Sequence, residues 1–343
     1  MSHSRPRTGL PLALGAALLA ACADTAPPSG PDRPSSLRSA DAAPIPGSVV
    51  PGSIAFTSTR DGIAELYVMN PGGQHVVRLT TSAPDVEWNQ QPDWSPDGTK
   101  LIFTRRTLGG AVHDVHVLDV TEPDPQPRRL MVNPAPSGAP AWSPDGRMVA
   151  YCSFNAGAPG GTTPQIWIHD LATATSQPLG SGAACWPDWS PDRTAIAYHT
   201  LGANPEIVVM DLATRAVRVV APSAAQDVQP EWSPDGGQLV FRSNRERDAA
   251  GAPYFAIFVV PADGSAPPTN LTPIPDGVLA AQWSHDVPTW SHGGAKVLVG
   301  ARRPGTGSSF QLFRIDLHGG RAKQLTDAPG NSFLPSVRSI DRP

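Results

Sequence analysis

Acidic side chains recur at one position of a repeated pattern. Asp93, Asp188 and Glu231 each stand between a proline and a tryptophan, and the same position is Ala141, Thr289 and Ser336 in further copies. Carboxylates at a shared register have the chemistry to receive a cationic peptide or partner. Burying them unpaired would be costly, so they are expected near a mouth, in water or paired. Arg60, Arg105, Arg245 and Arg302 follow short apolar runs. They are expected on that same side, where they would pair with the acids or meet an anionic ligand. The plainer alternative is a solvated structural ring with no specific ligand.

Other reactive residues do not converge. His113 and His116 are three apart in an extended pattern, which points their side chains to opposite faces. His169 shares the register of Met69 and reads as a strand residue. His285 and His292 flank an extended segment and would lie on the order of 20 Å apart. His199 alone is kept as a candidate site residue. A Gly-x-Ser-x-Gly nucleophile motif is missing, and no hydrolase domain is expected after the repeats. No catalytic residue, metal site or cofactor is assigned. The enzymatic alternative is a carbohydrate-active lyase or hydrolase working in a central channel. Cys152 and Cys185 fall toward the same end of neighbouring repeats, and both a disulfide and two separate buried thiols are open.

The elements that carry these residues follow from a pentapeptide. Trp94-Ser95-Pro96-Asp97-Gly98 recurs from Trp142, Trp189 and Trp232, and in a worn form from Trp290 to Gly294. Serine, proline and aspartate suit the corners of a type I turn, and glycine the left-handed position after it. Arg193 stands in that glycine position, at a cost of roughly 1 kcal/mol if left-handed. His292 and Gly293 replace the Pro-Asp pair in the last copy, where a looser turn is expected.

A proline stands two residues before each tryptophan: Pro92, Pro140, Pro187, Pro230 and Pro288. Proline donates nothing to a ladder, so this first strand is expected at a sheet edge. A short apolar strand follows the turn, then a third like Leu66-Tyr67-Val68-Met69-Asn70, and a fourth ending as in Arg78-Leu79-Thr80. Four short strands at a period of roughly 40–50 residues make a propeller blade. Third strands number one more than the tryptophan turns. Residues 54–80 supply strands two to four of a blade, and Leu334-Pro335-Ser336-Val337 supplies a first strand, with Val337 in the tryptophan register. The expected fold is all-β: a six-bladed propeller of four-stranded antiparallel blades over residues 51–343, closed by its C-terminal strand so that no sheet edge is left open there.

The run Pro-x-Trp-Ser-Pro-Asp-Gly, an apolar strand, Ser58-Thr59-Arg60-Asp61-Gly62, Leu66 to Asn70 and Arg78-Leu79-Thr80 resembles the TolB-type, WD40-like propeller repeats. TolB-type proteins carry an α/β domain ahead of the propeller, and none is expected here. The same repeat occurs in propellers attached to serine peptidases and in some polysaccharide lyases, so the resemblance speaks to fold before function. It implies an envelope role with a protein or peptide partner.

Residues 1–22 read as a lipoprotein signal peptide. Arg5 and Arg7 precede an apolar stretch too short to span a bilayer, which ends at Leu19-Ala20-Ala21-Cys22. That ending resembles a bacterial lipobox and implies lipidation of Cys22. Asp24 is two residues beyond Cys22 and not next to it, which favours the outer membrane, facing the periplasm or the cell surface. Residues 23–50, rich in Pro, Ser, Ala and Asp, are expected to be a disordered tether. Membrane contact would be through the lipid alone, and the protein is expected to be a monomer. With Lys and Arg numbering 26 against 30 Asp and Glu, the net charge of −4 argues against a nucleic-acid partner.

Overall fold

In a computed structural model of the chain, residues 53–82, 87–107, 113–131, 136–154, 163–180, 182–273, 284–302, 309–317 and 322–337 are described. The leader, Cys22 and the tether lie outside them. The described residues form only strands, turns and loops. Blade 1 holds β1 (Ile54–Ser58), β2 (Glu65–Met69) and β3 (Val77–Arg78). Blade 2 holds β4 (Glu87–Trp94), β5 (Lys100–Thr107), β6 (His113–Asp119) and β7 (Arg128–Arg129). Blade 3 comprises β8 (Ser137–Trp142), β9 (Met148–Ser153), β10 (Gln165–Asp170) and β11 (Thr175–Pro178), and blade 4 comprises β12 (Ala184–Trp189), β13 (Ala195–Thr200), β14 (Ile207–Asp211) and β15 (Val217–Val219). In blade 5 come β16 (Asp227–Trp232), β17 (Gln238–Arg247), β18 (Pro253–Pro261) and β19 (Thr269–Asn270), and in blade 6 β20 (Ser284–Trp290), β21 (Lys296–Arg302), β22 (Gln311–Asp316) and β23 (Lys323–Gln324). The last strand, β24 (Ser332–Val337), returns to blade 1.

Each sheet has four strands, and the six that carry the recurring proline, β4, β8, β12, β16, β20 and β24, are the innermost of their blades. Their position at an edge is what proline's missing N–H requires. β24 pairs antiparallel with β1, from Ile54 opposite Val337 to Ser58 opposite Ser332. The ring therefore closes by joining its two ends in one sheet.

The turns close as their residues dictate. Gly98 donates its N–H to Ser95 O at 2.8 Å, and Ser95 Oγ donates to Asp97 Oδ1 at 2.6 Å. Gly98, Gly146, Gly236 and Gly294 have φ of 64°, 69°, 73° and 68°, and Arg193 adopts 65° in the same place. Its guanidinium reaches Asp145 of the preceding turn at 2.9 Å. The looser turn expected at His292-Gly293 is not found. Gly294 N–H reaches Ser291 O at 2.8 Å, as short as in the intact copies. The glycine and the backbone bond set that geometry, and the Pro-Asp pair only reinforces it.

Adjacent blades are glued by apolar side chains from both sheets. Trp232 packs among Ala197, Val209, Phe241 and Phe258, spanning blades 4 and 5, and Trp189 does the same between blades 3 and 4. Between blades 6 and 1 the register passes to Val337, packed against Ile54, Met69 and Leu298. The middle of the second strand carries a wholly buried aromatic in four blades, Phe56, Phe103, Tyr151 and Phe241. Each such side chain is worth roughly 1.5–3 kcal/mol when removed from water.

Because β24 supplies the inner strand of blade 1, truncation after Asn331 strips β1 of its partner along one edge. The expected outcome is a fall in melting temperature of about 10 °C or more, since each kcal/mol is worth roughly 2–4 °C in a domain of this size. An unchanged calorimetric melt would contradict the clasp.

Candidate functional site at the central channel

The six inner strands surround a cavity of about 100 Å³. Its wall is built from the repeated tripeptide around each proline: Gln91-Pro92-Asp93, Ala139-Pro140-Ala141, Trp186-Pro187-Asp188, Gln229-Pro230-Glu231, Val287-Pro288-Thr289 and Leu334-Pro335-Ser336. At each of these places the pairing with the second strand slips, as between Gln90 and Asp93 or Val228 and Glu231. Five of the residues before proline are left-handed without being glycine: Gln91 at φ 58°, Ala139 at 48°, Trp186 at 56°, Gln229 at 59° and Leu334 at 51°. A bulge re-aims side chains and uses up local stability, and here it forms the channel wall.

Asp93, Asp188 and Glu231 do line the channel. Each is also a link between blades. Asp93 Oδ2 accepts the N–H of Trp142 at 2.8 Å, Asp188 Oδ2 that of Trp232 at 2.7 Å, and Glu231 Oε1 that of Trp290 at 3.1 Å. Ser336 Oγ lies 3.3 Å from Asp93 Oδ1, and Thr289 Oγ1 donates to Glu231 Oε1 at 2.8 Å. These acids hold the next blade's tryptophan in place as well as giving the channel its charge.

The arginines are placed elsewhere, outside the channel wall. Arg60 and Arg245 share one environment. Arg60 donates to Ser58 Oγ at 3.1 Å and lies over Phe56 and Tyr67, while Arg245 donates to Ser243 Oγ at 3.0 Å and lies over Phe241 and Phe258. Burial lowers the Arg60 pKa, against the pull of Tyr67 and Asp61. Arg245 takes the fully buried Asp227 as its carboxylate partner, at 3.0 Å to both oxygens. Arg105 donates to Asn89 Oδ1 at 3.1 Å, and Arg302 lies over Phe310.

His199 is also not in the wall. It is only 2% exposed, and its Nδ1 accepts the N–H of Gln229 at 3.3 Å. Burial alone pushes its pKa down to about 3, so it is neutral at ordinary pH and serves as an acceptor for the bulge of the next blade. The same seam position is filled differently around the ring. Thr104 Oγ1 accepts the N–H of Ala139 at 3.2 Å, and Gly300 would bring a β-carbon within 3.1 Å of Phe333. Arg242 faces Asp286, whose pKa is raised by burial against that arginine's attraction. Cys152 and Cys185 occupy this seam between blades 3 and 4 and are joined in a disulfide, Cα–Cα 5.1 Å. Among the remaining histidines, His116 lies tilted against Phe103 with ring centroids 5.8 Å apart, His169 Nδ1 lies 2.9 Å from Ser176 Oγ, and His285 Nδ1 is 3.2 Å from Phe255 O. Among the described residues, no group of three or more His, Cys, Asp or Glu is placed to hold a metal ion.

The residues that sequence reasoning missed are those before the prolines, above all Trp186, Gln91 and Gln229. Their signal was present as a column beside a recurring proline, but no local rule calls for a left-handed residue there.

The TolB beta propeller domain family matches residues 115–286, half of the chain. The chain belongs to the TolB β-propeller family. The Tol-Pal system proteins TolB of Bordetella pertussis and Bordetella bronchiseptica are each 28% identical to it over 156 residues, 43% of this chain and 34% of theirs. It thus spans about a third of the length of those curated relatives. Among solved structures, TolB from Acinetobacter baumannii superposes with a TM-score of 0.67 at 18% identity, over 84% of this chain and 67% of that one. A putative TolB from Agrobacterium tumefaciens gives 0.59 at 19%, over 85% and 99%. An oligogalacturonate lyase in complex with manganese gives 0.53 at 16%, over 80% and 73%. At these identities the likeness speaks for the fold alone.

The seam between blades can be tested at two points. Replacing Cys152 and Cys185 together by Ala is expected to lower unfolding free energy by about 2–4 kcal/mol, read from denaturant midpoints. His199 has a folded pKa below its unfolded value, so the unfolded state binds more protons between them and stability falls as pH drops from about 6.5 toward 3. The slope from this residue is at most about 1.4 kcal/mol per pH unit. A His199→Gln variant should lose that part of the slope in melts taken between pH 6.5 and 4.5.

Proposed function

We propose that the chain is a lipid-anchored, extracytoplasmic propeller that binds a protein or peptide partner at the mouth of its channel, in an envelope role like that of the Tol-Pal protein TolB. Lipidation at Cys22 would fix it to the outer membrane, and residues 23–50 would act as the tether of a monomeric propeller. Family membership supports the envelope role. The single observation that carries partner binding is the channel itself, a charged cavity walled by strained, non-glycine bulges in five of six blades. Strain of this kind costs of order 1–3 kcal/mol per residue and concentrates at binding sites.

The test of attachment is mass spectrometry of the mature N-terminus: acylated Cys22 is expected, and an unmodified terminus would refute the anchor. The test of binding is retention of envelope proteins by the wild-type propeller and by Ser336→Lys, which lays a long cation across the channel beside Asp93. Partner retention is expected to drop by roughly tenfold or more, equivalent to about 1.4 kcal/mol, with the melting curve unchanged. Equal retention by both proteins would move the binding face away from the channel.

A further inference from the structure

We propose that Arg60 is a binding site for a carboxylate, where an Asp, a Glu or a chain end of a ligand completes an ion pair that the fold leaves half made. The site is not part of the channel wall and does not depend on the channel-mouth reading. Repeats let one blade serve as a control for another. Arg60 and Arg245 stand four residues after the buried aromatics Phe56 and Phe241, each two residues after a serine. In both, the arginine's backbone N–H and its Nε donate to that serine Oγ, at 3.3 and 3.1 Å in blade 1 and at 3.2 and 3.0 Å in blade 5. Each guanidinium lies over two rings, 5.2 and 4.8 Å from the centroids in blade 1 and 5.4 and 5.0 Å in blade 5.

The two cradles differ in what the guanidinium meets. On the inner strand Asp227 stands opposite Ser243, and Ser332 stands opposite Ser58. Arg245 Nη2 donates to both oxygens of Asp227 at 3.0 Å, whereas Arg60 Nη2 reaches a hydroxyl, Ser332 Oγ, at 3.4 Å. Among the described residues, no carboxylate comes within 4.0 Å of Arg60. Asp61, next in sequence, accepts the Tyr67 hydroxyl and lies 3.7 Å from Arg78. Burial lowers the Arg60 pKa by more than Tyr67, Asp61 and Asp327 raise it, so the cost of burying this cation is not fully offset. Arg302 approaches the same strand start from blade 6. It lies over Phe310, whose N–H donates to Asn331 Oδ1 and whose carbonyl accepts the Ser332 N–H.

The chemistry of the ligand follows from the cradle. A planar guanidinium presents its N–H groups in a fork that matches the two oxygens of a carboxylate, and blade 5 shows a carboxylate seated in the same surroundings. Stacking on Phe56 and Tyr67 and the bond to Ser58 fix the guanidinium before a ligand arrives, so little freedom is lost on binding. Arg302 adds a second positive charge beside it. Arg60 is half-buried, and an ion pair that water still reaches is weak. A lone carboxylate should therefore bind with a dissociation constant on the order of tens of millimolar, enough to orient an acidic segment and not to capture it unaided.

The experiment measures how fast phenylglyoxal, an arginine-selective reagent, modifies each arginine of the folded protein, read by mass spectrometry of its peptides. Without ligand, Arg60 is expected to react about threefold or more faster than Arg245, whose guanidinium is paired. Acetyl-glutamate α-amide at about 100 mM is expected to slow Arg60 about threefold relative to acetyl-glutamine amide at the same ionic strength, and to leave the exposed Arg147 unchanged. Acetyl-glycine carries its carboxylate at a chain end, so protection by one acid or by both supports the site and names the source it accepts. Ser332→Asp reproduces the blade 5 arrangement and is expected to bring Arg60 down to the Arg245 rate and to abolish protection. Equal Arg60 rates with the glutamate and glutamine compounds, equal slowing at Arg147, or inorganic phosphate protecting better than either acid would overturn the proposal. So would an Arg60 that is as slow as Arg245 from the start. If Ser332→Asp does not fold, the wild-type comparison of glutamate with glutamine still decides.

Discussion

Every inner strand of this propeller has one hydrogen-bonding edge with no strand beside it, and that open edge sets the terms for everything near the axis. Proline removes one donor from the edge in each blade. The tryptophan N–H two residues later still needs an acceptor, and in three blades a carboxylate of the preceding blade supplies it, at 2.7–3.1 Å. A hydrogen bond to a charged group is worth about 1.5–3 kcal/mol. The charge that satisfies the backbone is therefore also the charge that faces the channel, so the same side chains link the blades and set the channel's character. Removing an acid to probe binding would disturb the ring, which is why the informative binding variants leave all three in place.

Around that axis, one seam between second strand and next inner strand is solved by different chemistry in different blades. A hydroxyl over a glycine serves between blades 2 and 3, a disulfide between blades 3 and 4, a neutral imidazole between blades 4 and 5, an arginine facing an aspartate between blades 5 and 6, and a glycine against Phe333 between blades 6 and 1. The repeated backbone demands that this position be filled and acceptors matched, and it leaves the means open. Such freedom explains why the blades diverge in reactive residues without diverging in shape.

The architecture was legible in the chain because its signals are local. Ser-Pro-Asp-Gly encodes its own turn, proline declares an edge strand, and the surplus third strand implies the clasp that β24 and β1 form. The channel wall was half legible. The register of Asp93, Asp188 and Glu231 could be read, but their acceptor role could not, because Asp93 and Trp142 meet across 49 residues and two blades. The left-handed turn at Trp186 or Gln229 arises from a slip between strands, which no window of sequence contains. His199 and the arginines drew attention as reactive side chains, and the contacts that absorb Arg245 and His199 come from Asp227 and from the Gln229 N–H. For His292-Gly293 the local reading went wrong by giving the Pro-Asp pair a role that the glycine after it already filled.

Carboxylates of one blade hold the tryptophan backbone of the next, and amide hydrogen exchange in Asp188→Ala tests this most directly. The Trp232 amide is expected to exchange about tenfold faster or more, in line with a lost bond of at least about 1.4 kcal/mol, while the Trp142 amide, held by Asp93, keeps its wild-type rate. An unchanged Trp232 rate, or equal acceleration at both tryptophans, would contradict it.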